Sequence, residues 1–223
     1  MKRLEKKVVE KLSNISLALP EKTLIIVGSG RPLASKQMEL IDYINSKVRL
    51  TREESEEIDK AFHVEHHCKG TILIQPDSLS QKVMFIERGL LRTFYNFHDK
   101  DVTHFFFDEN SFLATIESIF FNKTDPYGRQ ALEDCVLRTI HFRDFARLTN
   151  KIVNMKEFAF LVTIDVCKLF ADRVFSLQFQ NAQERYANLL EVNPTILLRA
   201  PLGHIASYLG ITQQTLSVIR SKK

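Results

Sequence analysis

The sequence predicts an α+β protein made of an N-terminal β-roll of the jelly-roll type, a long helix and a C-terminal helix-turn-helix. Branched and aromatic residues follow a period of two from His63 to Ile140, and the period becomes helical after Asn150. Near the C-terminus, Gly210 separates two short amphipathic segments. We therefore divide the chain into an N-terminal extension (1–37), a β-roll domain (38–150), a long helix (151–186) and a helix-turn-helix domain (187–223).

Composition excludes several other classes of protein. The 223 residues are 44% hydrophobic and 26% charged, as in ordinary globular chains, and no run of eighteen apolar residues suggests a membrane span. Only three cysteines occur, far apart and outside any Cys-x-x-Cys pair, which argues against a disulfide scaffold or a structural zinc site: Cys68, Cys135 and Cys167. The basic N-terminus lacks an apolar signal segment, so we expect a cytoplasmic protein without a bound metal.

The extension differs from the rest of the chain. Leu4, Val8, Leu12 and Ile15 have helical spacing, and Thr23–Val27 could form a short strand. The following Gly28–Gly30 lacks the third glycine of a dinucleotide-binding loop. Met38 opens an amphipathic segment as a true N-terminus would, and the choice between Met1 and Met38 as the start stays open.

The β-roll region begins with helical segments and continues as strands. Thr51 and Glu54 form a capping-box pattern at the start of a helix over Thr51–Phe62. Turn residues then separate five predicted strands, with a short helix expected at Ser111–Phe121. The strands are Thr71–Ile74, Val83–Ile86, Leu90–Phe97, Thr103–Phe107 and Cys135–Phe142.

The long helix is predicted over Met155–Arg185, about 46 Å at 1.5 Å per residue. It carries two apolar stripes, which favours one face on the roll and one on a second copy of the chain; a single buried core helix is the alternative. The first stripe is Phe160, Ile164, Cys167, Ala171 and Val174, and the second is Val166, Phe170 and Leu177.

The C-terminal segment has the spacing of a helix-turn-helix. The first helix is expected to bury Leu202, Ile205, Ala206 and Leu209, Gly210 fits the left-handed turn, and Thr212 is a plausible N-cap. Leu216 and Ile219 of the second helix should face the first. Its polar, acid-free outer face suits DNA bases and phosphates, with Lys222 and Lys223 adding charge. The predicted DNA-binding residues are Thr212, Gln213, Gln214, Thr215, Ser217 and Arg220.

Four segments in this order resemble the cyclic-AMP receptor protein and fumarate–nitrate regulator (Crp/Fnr) family of bacterial transcription regulators. They are Lys69–Leu73, Phe85–Arg92, Arg199–Gly210 and Thr215–Arg220. The resemblance covers Met38–Lys223. It implies a cyclic-nucleotide-binding-like roll, a homodimer, double-stranded DNA as partner and RNA polymerase as a further partner, with no membrane association.

The resemblance weakens at the nucleotide pocket. Ser111–Ala114 stands where nucleotide-binding relatives carry Gly-Glu, and Asp125–Gln130 stands where they carry Arg-Ser. A phosphate site needs a cation and clustered donors, which Asp125 and Pro126 do not supply. We therefore expect no cofactor and no response to cyclic AMP, while an unknown small-molecule effector stays open. The candidate pocket residues are Leu113, Ala114, Arg129 and Gln130.

An enzyme is not expected, and no catalytic residues are assigned. His63, His66, His67 and Cys68 resemble metal ligands, but their strand parity and the lack of a later ligand motif argue against a cupin site. The alternative function is a small-ligand or interaction module with a vestigial helix-turn-helix. The operator sequence and the sign of regulation stay open; Val218 could contribute only apolar contacts to DNA, and little room remains for a wing before Leu202.

The net charge of +4 is unevenly distributed. Residues 1–37 carry eight basic and three acidic side chains, residues 38–186 carry 19 and 23, and residues 187–223 carry four and one. The C-terminal domain therefore has a net positive charge, whereas the central part of the chain has a net negative charge. This local asymmetry, rather than the overall charge, points to nucleic acid as the partner of the C-terminal domain.

Overall fold

The computed structural model describes residues 37–98 and 100–221. Within them, eight strands form two four-stranded antiparallel sheets that face each other as a β-roll. The strands are β1 His63–His67, β2 Ile72–Ile74, β3 Lys82–Arg88, β4 Leu91–Phe97, β5 Lys100–Phe107, β6 Phe112–Ala114, β7 Gly128–Ala131 and β8 Cys135–His141. One sheet has the order β1-β8-β3-β6 and the other β2-β7-β4-β5, so the predicted roll is confirmed.

Among the described residues, two helices precede the strands of the roll, one lies between β6 and β7, and the others follow β8. They are α1 Leu40–Lys47, α2 Arg52–Ala61, α3 Ile116–Phe121, α4 Phe142–Lys151, α5 Val153–Phe179, α6 Ala182–Val192, α7 Ile196–Arg199, α8 Leu202–Leu209 and α9 Gln213–Ser221. The predicted capping box of α2 is confirmed, because Thr51 accepts from the Glu54 N–H and the Glu54 carboxylate accepts from the Thr51 N–H.

The prediction of a helix over Ser111–Phe121 is wrong in its first half. Phe112–Ala114 forms β6, which pairs with β3 in the register Val83–Ala114 and Phe85–Phe112. The helix α3 begins only at Ile116. Three consecutive apolar or small residues fit a strand as well as a helical turn. Pairing with β3 therefore determines that this segment is a strand. Two further strands, β1 and β7, were not delimited by the sequence pattern.

The single helix predicted over Met155–Arg185 is interrupted. Helix α5 ends at Phe179, and α6 begins at Ala182 after two extended residues, Gln180 and Asn181. Neither glycine nor proline marks the break. Instead Asn181 caps α6 by accepting from the N–H groups of Gln183 and Glu184, so a capping box starts a new helix.

Three apolar clusters hold these elements together. One lies between the first sheet and helices α1, α2, α4 and α5, centred on Phe85, Met155 and Phe158. A second fills the roll between its sheets, with Met84, Ile86 and Leu137 fully buried. The third joins α6–α9 to the roll, because Leu90 and Leu132 of the roll pack with Ile205, Leu209 and Leu216. The C-terminal helices thus share a core with the roll.

Some predictions lie outside the described residues. These are the helix and strand proposed for the N-terminal extension, the Gly28–Gly30 loop, and the cationic roles of Lys222 and Lys223. After His141, the described part of the chain contains helices and no strand, and the short segment between α6 and α8 forms α7. Among the described helices, none is both long and apolar enough to cross a bilayer.

Candidate nucleic-acid interface

Helices α8 and α9 form the predicted helix-turn-helix. Gly210 ends α8 with φ of +68°, a left-handed conformation that glycine adopts without steric cost. Ile205, Ala206 and Leu209 are buried against the second helix through Leu216. Leu202 was expected to be buried as well but is 39% exposed, because it is the first residue of α8 and lies beyond the crossing with α9.

The outer face of α9 is open to solvent. Gln213, Gln214, Ser217 and Arg220 are exposed, and α9 contains no acidic residue. None of these four side chains makes a hydrogen bond or ion pair with the described part of the chain. Gln213, Gln214 and Ser217 also line a shallow open depression beside α8, together with Leu202, Leu216 and Val218. This is the arrangement that major-groove contact requires, with amides, a hydroxyl and a cation on one exposed face.

Two predicted DNA-binding residues organise the start of α9. The Thr212 hydroxyl accepts from the Thr215 N–H at 3.1 Å, and the two threonine hydroxyls lie 2.9 Å apart. The Thr212 side chain therefore caps α9, as expected from its position. Gln213 lies over Gly203 of α8: a Cβ added at Gly203 would come within 2.8 Å of the Gln213 Nε2. Gly203 leaves the space that this amide occupies.

Helix α8 also packs on the outer face of the second sheet. The Thr103 N–H donates to the Ser207 hydroxyl at 2.9 Å, and the ring of Phe106 lies 5.3 Å from that of Tyr208. Arg92 on β4 is 3% exposed and binds both carboxylate oxygens of Asp101. Its Nη1 also lies 3.1 Å from the His204 Nδ1. An arginine only donates, so this nitrogen accepts, and burial followed by the Arg92 charge lowers the pKa of His204.

A second polar contact joins the C-terminal helices to the roll. Arg199 on α7 binds the carboxylates of Glu109 and Glu133, which lie in two different loops of the roll. Glu109 in turn accepts from the Gly89 N–H at 2.9 Å. Burial raises the pKa of Glu109, but the hydrogen bonds from Arg199 and Gly89 outweigh burial and lower the pKa below its ordinary value. These contacts fix α7, and with it the start of α8.

The candidate ligand residues of the roll do not converge on one site. Leu113 is buried in the apolar interior, while Ala114 beside it is exposed. Gln130 faces the opposite side of its sheet from Arg129, where its Oε1 accepts from the Arg92 Nε at 2.8 Å. Adjacent strand residues point to opposite faces of a sheet, so Leu113 is separated from Ala114, and Arg129 from Gln130.

Arg129 has a carboxylate partner within its own chain. Its Nη2 lies 3.1 Å from the Asp125 Oδ2, and its Nη1 donates to the Tyr127 carbonyl at 2.7 Å. Both ionic side chains are buried, and burial lowers the pKa of Arg129 while the Asp125 charge opposes that change. The Arg129 Nε has no hydrogen-bond partner among the residues that the structure describes. The carboxylate thus occupies the position at which this guanidinium could otherwise hold an external anion.

One of the histidines before β2, His67, has a structural partner. The His67 Nε2 lies 3.0 Å from Glu65, which also accepts from Lys82 and Thr139. Burial raises the pKa of Glu65, but these hydrogen bonds outweigh it and lower the value to about 2. No group of three potential metal ligands occurs among the residues that the structure describes.

Similar structures decide the fold. A mutant of CooA from Carboxydothermus hydrogenoformans has a TM-score of 0.59 and 22% identity, covering 74% of this chain and 78% of that protein. FixK2 from Bradyrhizobium japonicum has a TM-score of 0.62 and 16% identity, covering 72% and 83%. A protein described as a Crp/Fnr-family transcriptional regulator from Eubacterium rectale has a TM-score of 0.61 and 15% identity, covering 76% and 82%.

The chain has the Crp/Fnr fold. The resemblance drawn from the sequence is thereby confirmed at the level of architecture, with a roll, a long helix and a C-terminal helix-turn-helix in the expected order. No family model matches the sequence. No curated protein matches it either. On this Crp/Fnr fold, the exposed face of α9 stands at the position of the DNA-recognition helix of a helix-turn-helix.

Four arginines with long-range contacts are not predicted by the sequence pattern. Arg92 was noticed only as part of a motif, and Arg173, Arg185 and Arg199 were not singled out. All four join the helix-turn-helix unit to the rest of the chain. Their signal in the sequence is weak, because an arginine side chain is usually exposed to solvent.

Proposed function

We propose that the chain is a dimeric, sequence-specific DNA-binding transcription regulator that does not respond to cyclic AMP. The observation that carries the proposal is the exposed, acid-free face of α9 on a well-packed helix-turn-helix. Glutamine amides can pair with adenine edges, and Arg220 can neutralise phosphate or read guanine. A vestigial domain has no need to keep such a face free of internal hydrogen bonds.

Dimerisation is supported by the outer face of α5. The first apolar stripe of the long helix is exposed along its whole length, with Phe160, Ile164 and Val174 between 50% and 62% exposed. Phe175 and Phe179 extend it, with ring centroids 5.1 Å apart. An apolar stripe of this size on a soluble chain calls for a partner, and near-heptad spacing suits a second copy of the same helix.

Independence from cyclic AMP is supported by the interior of the roll. Apolar side chains fill the space between the sheets, and the one buried arginine of β7 is already paired with Asp125. A cyclic phosphate would have to displace this carboxylate from Arg129 and leave it buried without its partner, which is strongly unfavourable. The α9 face, in contrast, needs no ligand to be exposed.

The experiment is selection of bound sequences from random DNA by the purified full chain, followed by affinity measurements. We expect a pseudo-palindrome whose half-sites lie about one helical turn, roughly 34 Å, apart, and binding that weakens steeply with salt. Replacing Gln213, Gln214 and Arg220 together by alanine should lower specific affinity about 100-fold or more, since each good base contact contributes about 1–3 kcal/mol.

A matched control separates recognition from general damage. Gln81, Arg147 and Gln183 are exposed side chains of the same types on other elements. Their simultaneous replacement by alanine should leave specific affinity within about twofold, because surface changes away from an interface have small effects. Equal losses in the two triple variants, or no binding of any selected DNA by the wild type at low salt, would contradict the proposal.

Two further measurements test the finer parts of the proposal. Ile164→Glu places a charge in the apolar stripe of α5 and should produce monomers by sedimentation, with half-site binding retained. Millimolar cyclic AMP should leave both the thermal unfolding midpoint and the DNA affinity of the wild type unchanged. A rise in DNA affinity of about tenfold or more, in the range of typical allosteric coupling, would overturn the claim of independence.

A further inference from the structure

The C-terminal end of α8 is capped by arginines from other helices. The last carbonyls of a helix lack intrahelical partners, and α8 has no basic residue of its own in its last turn. The Gly210 and Ile211 N–H groups bond to Ser207 and Ala206. The carbonyls of Tyr208 and Leu209 remain, and each accepts a hydrogen bond from an arginine outside the helix-turn-helix.

Arg173 supplies the first of these bonds from the long helix. Its Nη2 donates to the Tyr208 carbonyl, and its guanidinium lies 4.0 Å from the centre of the Tyr208 ring. One residue of α5 thus holds both the backbone and the side chain of Tyr208. Within the described part of the chain, the Arg173 Nε is buried without a hydrogen-bond partner, which is a cost that the surrounding contacts must offset. A merely solvated arginine would not be held in this way.

Arg185 supplies the second bond from the first turn of α6. Its Nε donates to the Leu209 carbonyl at 3.0 Å, and its Nη1 donates to the Gln180 carbonyl at 2.6 Å. Gln180 and Asn181 are the two extended residues between α5 and α6. The Arg185 guanidinium therefore binds one carbonyl just after the end of α5 and one at the end of α8, so it links the two helix ends.

The orientation of α9 depends on these contacts. Only Gly210, Ile211 and Thr212 separate α8 from α9, and Leu216 of α9 is buried against α8. Fixing the last turn of α8 on α5 therefore fixes the recognition face relative to the helix along which two chains would pair. A guanidinium suits this task, because its planar donors can bind two carbonyls at once, which a lysine ammonium does less rigidly.

We propose that Arg173 and Arg185 are positioning residues that set the spacing and relative angle of the two recognition helices in the dimer. This inference rests on the proposed function, because spacing has meaning only for a dimer on DNA. The two arginines act through α8 and do not themselves face the DNA-binding surface. They make the half-site spacing a property of the chain's own contacts, set without a bound effector.

The test compares affinity for a palindrome with affinity for a single half-site, using the full chain and selected DNA. Arg185→Gln and Arg173→Gln should leave half-site affinity within about twofold. Their affinity for the palindrome should fall about tenfold, a part of the 10²–10⁴ that bivalent binding can provide. A series of palindromes with spacers lengthened one base pair at a time should show a sharp optimum for the wild type and a flat profile for both variants.

Controls distinguish positioning from loss of structure. Arg147→Gln removes the same charge from an exposed site on α4 and should keep both the optimum and the affinity. Arg185→Lys should have an affinity for the palindrome between those of the wild type and Arg185→Gln, since lysine keeps the charge but lacks the planar donors of the guanidinium. The proposal is overturned if the variants retain the wild-type spacing optimum, or if half-site and palindrome affinities fall together in step with the thermal unfolding midpoint.

A second measurement keeps the inference testable without DNA. Spin labels at a Lys168→Cys substitution on α5, outside its apolar stripes, and at a Ser217→Cys substitution on α9 report the distance between the two helices. The background is Cys68→Ser with Cys167→Ser, and the labelled protein is diluted with unlabelled protein. The distribution should be narrow in the wild type and broad in Arg185→Gln. Broadening without DNA binding would sink the regulator proposal alone, whereas an unchanged distribution would sink the positioning role.

Discussion

Arg129 in the roll and Arg220 on α9 have opposite surroundings. Arg129 lies between two sheets with Asp125 as its partner, and both side chains are buried. Arg220 lies on the open face of α9 and has no ion pair with the described residues. The Asp125 carboxylate occupies the donors of Arg129, whereas no carboxylate of α9 occupies those of Arg220. The comparison indicates that Arg129 is closed to an external anion, while the α9 face leaves its donors open to a partner.

The largest effect is expected when the internal partner in the roll is removed. Asp125→Ala leaves the Arg129 guanidinium buried without a counter-charge, which should cost about 3–5 kcal/mol in the free energy of unfolding measured in urea. Asp125→Ala combined with Arg129→Met should recover most of the loss, because the unpaired charge is gone. Asp59→Ala is the control: Asp59 is largely exposed and Arg138 keeps Glu87, so about 1 kcal/mol or less is expected.

A similar loss in the Asp125 and Asp59 variants would show that the buried pair is not special, and the comparison would fail. If the Asp125→Ala variant is stabilised by inorganic phosphate while the wild type is not, the comparison sharpens. The carboxylate would then be shown to occupy an anion site.

A smaller effect is expected from pH, through His104. This ring stacks on Tyr127 at 4.4 Å with an angle of 8° between the planes. Burial, followed by the charges of Arg173 and Arg129, lowers the pKa of His104 to about 4. The unfolded chain binds the proton more readily, so stability is full above the ordinary value near 6.5 and declines as pH falls from about 6.5 to 4, by roughly 1–2 kcal/mol for this partly exposed ring.

Thermal unfolding across this pH range measures the effect. His104→Phe retains the stacking without the titration and should flatten the profile, whereas His66→Phe at an exposed position of β1 should not. Parallel profiles for the wild type and His104→Phe would remove His104 as the cause. His204 should add to the wild-type decline, since its pKa is lowered in the same direction by burial and by Arg92.

The cap of the recognition helix is expected to contribute less. Thr212→Ala removes the acceptor for the Thr215 N–H and should lower the free energy of unfolding by about 1 kcal/mol, whereas Thr212→Asn should largely restore it. Hydrogen exchange of the α9 amides measures the local effect directly. Protection that is unaltered in Thr212→Ala would mean that the cap does not stabilise α9.

The smallest change in stability is expected on the open face itself. Arg220→Ala should alter the free energy of unfolding by less than about 0.5 kcal/mol. It should nevertheless weaken DNA binding and reduce the salt slope by about one. This profile is the reverse of that predicted for Asp125→Ala, so the two variants together test the comparison. A strongly destabilised Arg220→Ala would show that the α9 face is structural.

The sequence predicts much of the fold, because its determinants are local. The α2 capping box, the strands around Phe85 and the left-handed Gly210 each depend on a few neighbouring residues. The break at Gln180–Asn181 was missed because no glycine or proline marks it, and the competing signal is a single side-chain cap. The strand at Phe112–Ala114 was missed because pairing with β3 decides it, and that partner lies about thirty residues away in the sequence.

The candidate DNA-binding face was predictable for the same reason. Its residues lie on one short helix, and helical spacing alone places them on one side. The arginines that hold this helix were not predictable, since Arg92, Arg173 and Arg199 contact residues far away in sequence. The separation of Arg129 from Gln130 in the roll was not predictable either, since it depends on the register of β7 with β4.

The core shared by the roll and α6–α9 limits how this architecture can be recombined. Leu90 and Leu132 are covered by the C-terminal helices, at 0% and 4% exposure. A chain that ended at Gln180 would present both leucines to water, and a different reader domain grafted there would have to supply its own apolar cover and a counterpart for Arg199. In this protein, the roll and the C-terminal helices are therefore one structural unit rather than exchangeable parts.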